Sequence, residues 1–187
     1  MLGTHGRTGI RELAMGSIAE EIFRRARCPV LCVNPHVSQK PDREAKFHHI
    51  LFATDFSSES LAALPYAVSL AEEDEAQLAF LHAVGQPAAG MVGLEAVTAS
   101  FEGCLKKLSI MPPDAERWCH AECLVEFGSP FASPAEGILK VALNSASDLI
   151  VLGVRSVYGK LGLVTHRAST TAQIAAYAAC PVLTARG

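Results

Sequence analysis

Gly3, Gly6 and the pair Gly16-Ser17 fall within one short stretch, in the run Met1-Leu2-Gly3-Thr4-His5-Gly6 … Gly16-Ser17. Glycines, lacking a Cβ, let backbone amides approach an anion, and a serine at a helix start lends its hydroxyl both to the helix and to a phosphate. The helix N-terminus adds favourable partial charge. The chemistry this spacing suits is the cradling of a phosphate; the competing reading is that glycines at a strand-to-helix turn merely permit the turn. Further along, Ala53-Thr54-Asp55 closes an apolar run and Ala83 lies in the next one. Asp55 has no Ser-His pair or second acid at a recognisable spacing, so no catalytic residue is assigned.

Other chemistry-bearing residues read as structural. Cys119 and Cys123 fall on one face of a predicted strand and His120 on the other, with no second ligand pair at zinc spacing, so no metal site is assigned. His48, His49 and His82 suit packing or surface positions better than ligation. The chain has 6 cysteines in 187 residues, scattered among strands and helices. They form no secreted disulfide framework and read as reduced.

What must position these residues is an alternation of apolar runs and amphipathic stretches. His49 to Thr54 predicts a strand, and Ser57-Ser58-Glu59-Ser60 supplies helix-start residues. A helix over about 58–73 follows, with Leu61, Leu64, Ala67, Val68 and Ala71 on one face. It ends in Glu72-Glu73-Asp74-Glu75, acids that suit a helix C-terminus poorly and are expected to be solvated. Gln77 to Val84 is a nearly continuous apolar strand of the kind buried on both faces of a parallel sheet. Then come a loop at 85–94, a helix over about 94–110 closed by Pro112-Pro113, a strand within 119–127, a helix over 134–145 and a strand over 148–153. A helix over about 168–178 and a strand from Pro181 to Ala185 complete the order. The alternation predicts an α/β fold: a doubly wound, Rossmann-like, five-stranded parallel sheet with helices on both faces.

The end of the chain also repeats its beginning. Gly3 … Gly16-Ser17 … Cys28-Pro29-Val30-Leu31 is echoed by Gly153 … Ala168-Ser169 … Cys180-Pro181-Val182-Leu183. Residues 1–33 therefore read as the strand-loop-helix-strand tail of a first domain, the Pro-containing, aperiodic 34–46 as a linker and 47–187 as a complete second domain. Composition, at 50% apolar and 19% charged residues, fits one full domain plus extra material. A net charge of −3 leaves no basic field for nucleic acid. No apolar run reaches the roughly 18–20 residues that span a bilayer, and no charged start precedes a long apolar stretch, so the cytoplasm is expected and a membrane is not.

Gly3-Thr4-His5-Gly6 with Gly16-Ser17 resembles the G-x2-G-x9-G-[S/T] nucleotide loop of universal stress proteins. Ala53-Thr54-Asp55-Phe56-Ser57 resembles the end of that family's first strand, and Leu81 to Val84 and Asp148 to Gly153 its second and fourth. The resemblance implies a tandem member truncated before the fourth strand of its first domain, an adenine nucleotide alpha hydrolase-like fold, and ATP with Mg as the ligand. It places Gly3, Gly6, Gly16, Ser17, Ala53, Thr54, Asp55, Ala83, Gly153 and Ser169 about the nucleotide. The first loop then lacks the base-binding half of its domain. In the second, Ser156 replaces a motif glycine, Ala168-Ser169 stands for Gly-Ser with two residues inserted, and Tyr158 and His166 add bulk. Arg155, Lys160 and Arg167 could still attract an anion.

Two functions are compatible with these features. One is a non-catalytic stress-response module acting through an unidentified protein partner, with weak or no nucleotide binding; the other is an ATP-binding member with at most slow hydrolysis. The resemblance further implies that the fifth strands pair, Val30 to Val33 with Val182 to Ala185, within the chain or in a homodimer. A strand with an open edge recruits a partner. The helix before it, Ser17 to Arg27, is expected to pack Ile18, Ile22 and Phe23 on apolar surface.

Overall fold

Short runs of Ile, Leu, Val and Phe become strands because such side chains suit a pleated surface, and those covered by helices on both faces lose nearly all contact with water. Leu78, Phe80, Leu81 and the run Leu149 to Leu152 are all buried. The structure is a computed structural model and describes residues 2–3, 22, 25–37, 46–84, 102–103, 122–127, 133–154 and 170–186. Among these the strands are β1 (Leu2–Gly3), β2 (Val30–Val33), β3 (His49–Ala53), β4 (Gln77–Val84), β5 (Glu122–Phe127), β6 (Leu149–Val154) and β7 (Val182–Arg186). The helices are α1 (Ser58–Leu61), α2 (Leu64–Asp74), α3 (Pro134–Asn144) and α4 (Thr170–Tyr177).

The strands form a single sheet in the order β1-β2-β7-β6-β3-β4-β5. From β7 to β5 every neighbouring pair is parallel, which is the five-stranded doubly wound sheet that the alternation predicts. β2 continues that sheet by pairing antiparallel with β7, Val30 opposite Thr184 and Cys32 opposite Val182, and β1 adds to β2 in parallel. One face carries Leu51, Ala53, Leu81, Ile150, Leu152 and Val182 under α3 and α4. The other carries Ile50, Phe52, Leu78, Phe80, Leu149 and Val151 under α2, where the Phe52 and Phe80 rings meet edge to face at 5.8 Å. The side chains alternate between these cores with the period of two that strands impose.

Three details depart from the sequence expectations. The helix expected over 58–73 is broken into α1 and α2, because Pro65 in the first turn of α2 has no N–H to give residue 61 and its ring clashes with that carbonyl. Leu64, Ala67, Val68 and Ala71 are buried, whereas Leu61 is half-buried. Asp74 is not simply solvated: its carboxylate accepts the Phe47 N–H at 2.9 Å, fixing the approach to β3, and Glu75 ends the helix in the left-handed region at φ 55°. Ile22, expected to pack, is exposed. Of the helix expected over 94–110 only residues 102–103 are described, and both are helical.

Candidate functional site

The carboxyl ends of parallel strands are where doubly wound sheets place their ligand sites. At the end of β3 the chain turns sharply. Phe56 takes φ 61°, a left-handed conformation uncommon for an aromatic residue, and Ser57 then caps α1 with its hydroxyl on the Ser60 N–H at 3.2 Å. The turn gathers Thr54, Asp55, Ser57, Ser60 and His82. Thr54 is buried, and its backbone N–H donates to Leu81 in β4. Its hydroxyl accepts the Phe56 N–H at 3.0 Å and lies 2.9 Å from the Ser60 hydroxyl. Since the Ser60 proton is directed to the Ser57 carbonyl at 2.9 Å, Thr54 is the donor of that pair.

Asp55 is exposed, and its Oδ1 accepts both the N–H and the hydroxyl of Ser57, at 3.0 and 2.5 Å. His82 in β4 reaches across with Nδ1 2.8 Å from the Thr54 carbonyl, so Nδ1 carries the proton. The Phe56 ring tilts against the His82 ring at 4.9 Å between centroids. A carboxylate thus stands at the rim of the sheet, where it can accept from ligand hydroxyls.

Ala53 and Ala83 lie on the α3/α4 face, level with one another across β3 and β4 to within two residues. Gly153, in β6, serves packing first: a Cβ there would lie 2.1 Å from the Glu59 carbonyl oxygen and 2.3 Å from Ser60 Cα, so α1 can sit on β6 only above a glycine. Gly3 lies in β1. Gly6, Gly16, Ser17 and Ser169 lie outside the described residues, as do Cys119 and His120. Thr54, Asp55, Ala53, Ala83 and Gly153 are therefore the candidates seen together at the carboxyl end of the sheet.

Residues that sequence reasoning passed over lie along β2 and β7, towards the other edge of the same sheet. Asn34, buried just after β2, donates through Nδ2 to the Ala175 and Ala178 carbonyls at 3.0 and 2.8 Å, capping the end of α4, and accepts the His36 N–H at 2.7 Å. Thr184 donates its hydroxyl to the Val30 carbonyl at 3.3 Å. Arg186, at the end of β7, has buried Nε and Nη2 atoms with no hydrogen-bond partner among the described residues. An asparagine between a strand and a proline and a lone arginine after Thr-Ala give no sequence signal of these roles. Cys32 and Cys180 are buried in the same core, and desolvation pushes both thiols from the ordinary 9.0 up to about 12, so neither is a nucleophile. Among the described residues no cluster of three or more His, Cys, Asp or Glu could hold a metal ion, and no helix is long and apolar enough to cross a membrane.

Comparison with known proteins agrees with this architecture. The universal stress protein family model matches residues 1–34 and 46–186. Universal stress protein YxiE of Bacillus subtilis is 32% identical over 158 residues, which cover 75% of this chain and 99% of that protein. A universal stress protein of Archaeoglobus fulgidus shares the fold over 97% of this chain and 60% of its own, at 19% identity and a TM-score of 0.65. A universal stress protein solved in complex with cAMP shares it over 76% of this chain and 99% of its own, at 18% identity and a TM-score of 0.54. With the family model spanning both the leading strands and the whole five-stranded unit, the chain belongs to the universal stress protein family.

Proposed function

We propose that this chain serves the stress response, the role its family supports, through protein contacts in the cytoplasm, and that adenine nucleotide is at most a weak ligand. One observation carries the nucleotide half of this reading: the polar groups of residues 54–60 are hydrogen-bonded to each other. A ligand reaching Asp55 meets a carboxylate whose Oδ1 already accepts two hydrogen bonds from Ser57, which lowers the net gain from that oxygen. ATP with Mg should bind with a dissociation constant above roughly 100 µM, less than about 5.5 kcal/mol. Isothermal titration decides it, and a low-micromolar constant abolished by Asp55→Ala would overturn the reading. The second reading, an ATP-binding member with at most slow hydrolysis, draws on the cAMP complex of the structural neighbour and on the resemblance of Ala53, Thr54, Asp55 and Ala83 to the family's nucleotide positions.

The assembly state that goes with this reading follows from the outer edge of β7. With β2 seated on that edge, a second chain cannot add to it there. We read residues 1–33 as part of a first unit of the family, 34–46 as the linker and 47–187 as the second unit, a division supported by a family match that leaves 35–45 uncovered. The chain is then a monomer, and removal of residues 1–40 produces a dimer through β7. Sedimentation of both forms tests this, and a dimer present before and unchanged after deletion refutes it.

A further inference from the structure

We propose that Arg186 fastens the leading helix to the sheet, as the two-fold counterpart of the cap that Asn34 places on α4. The internal repeat and the seam share one symmetry. The repeat that takes Cys28 to Cys180 also takes Ile22 to Ile174, Ala26 to Ala178 and Asn34 to Arg186. The β2–β7 ladder obeys the same correspondence: Val30 lies opposite Thr184, Leu31 opposite Leu183 and Cys32 opposite Val182, so exchanging each residue for its counterpart returns the same ladder, centred on Leu31 and Leu183. The helices follow it too. The Ala26 N–H donates to the Ile22 carbonyl at 2.8 Å, as the Ala178 N–H does to the Ile174 carbonyl at 2.9 Å, and Ile22 and Arg25 are helical like Ile174 and Tyr177.

Residues opposite one another in an antiparallel pair share a face of the sheet, so this axis stands perpendicular to the sheet and sets Ile22, Arg25 and Ala26 on the α4 face beside the end of β7. Arg186, which alternates with Val182 and Thr184, lies on that face. Where Asn34 gives its Nδ2 to the Ala178 carbonyl at 2.8 Å, the counterpart of that bond runs from the Arg186 guanidinium to the Ala26 carbonyl. Phe23, the counterpart of Ala175, lies outside the described residues. In the structure the Asn34 cap is closed, whereas the Arg186 Nε and Nη2 are buried with no hydrogen-bond partner among the described residues. A buried guanidinium keeps its charge and is costly without hydrogen bonds, while the last carbonyls of a helix lack intrahelical donors and carry the negative end of its dipole. Each supplies what the other lacks. The leading segment is thus a strap fastened at Asn34 and poised to close at Arg186. Ile22 is 36% exposed whereas Ile174 is fully buried, so the leading helix gains less from apolar burial than α4 and depends more on a polar fastening. Arg25 and Arg27 are exposed, where water and salt screen their charge from Arg186.

The test uses the full chain. In its ¹H–¹⁵N spectrum the Arg186 Nε–H should exchange slowly with water and show a nuclear Overhauser contact to the Ala26 methyl group. Arg186→Met keeps a long side chain but removes the donors, and should speed hydrogen exchange of the Ala26 amide at least about tenfold while the Ala178 amide, on the side that Asn34 caps, exchanges as before. An Nε–H that exchanges freely and touches no proton of Ala26, unchanged Ala26 exchange in a folded Arg186→Met protein, or equal acceleration at Ala26 and Ala178 would each overturn the proposal. Should Arg186→Met fail to fold, the wild-type Nε–H contact and its exchange with water decide.

Discussion

The turn after β3 and the seam formed by β2, β7 and α4 are built on opposite plans. At the turn, Thr54, Asp55, Ser57 and Ser60 satisfy one another within seven positions of sequence. At the seam, the bonds join residues far apart in the chain: Asn34 to Ala175 and Ala178, Thr184 to Val30. Arg186, beside that seam, has two buried nitrogens with no partner among the described residues. A locally closed site has little left to give a ligand. A seam assembled from distant pieces holds only while all of those pieces are in place.

The comparison breaks most forcefully at Gly153, on which the turn depends. Gly153→Ala sets a methyl against the backbone of Glu59 and Ser60, and overpacking against main chain should cost about 3 kcal/mol, read as a drop in denaturant midpoint. Loss under about 0.5 kcal/mol would show that α1 moves away freely. At the seam, Asn34→Ala leaves buried carbonyls of α4 without their donor and should cost about 2 kcal/mol. It should also loosen β2, so that Cys32, otherwise protected, reacts with a thiol reagent almost as fast as exposed Cys28. Unchanged protection of Cys32 would mean that the strand pairing holds β2 without the asparagine.

Smaller effects sharpen the same contrast. Thr54→Val keeps the shape but removes the hydroxyl that joins Phe56 and Ser60, for about 1 kcal/mol, and its consequence should remain within the turn: Cys32 keeps its protection against a thiol reagent. The buried thiols give a pH signature of the seam. Cys32 and Cys180 hold their protons to about 12, whereas an unfolded chain releases them near 9.0, so stability is intact below pH 9.0 and falls as pH rises towards 12. Replacing Cys32 with Ala should shrink that alkaline loss, and an unchanged pH profile would place its cause elsewhere.

The five-stranded parallel sheet and both apolar faces were legible in the sequence because the period of an apolar run is a local property. Gln77 to Val84 carries its strand, and Ser57 its helix cap, in adjacent residues. Asp55 was legible for the same reason, as a polar stop to an apolar run. Pro65 was legible in principle, since its missing N–H divides the helix wherever it is placed, but the continuous apolar face hid the break. Phe56 at φ 61° gave no warning, because Gly, Asn and Asp are the usual signs of that conformation.

Sequence by itself determined the elements, their alternation and the helix start at Ser57 to Ser60, since each depends on neighbours a few residues away. Only the tertiary structure decided that β2 runs antiparallel along β7, and that Asn34 caps a helix whose carbonyls come 141 and 144 residues later. Those outcomes depend on which surfaces meet, and pairing between distant segments is fixed by the combined burial and hydrogen bonding of the whole sheet, which leaves no periodic trace in either segment.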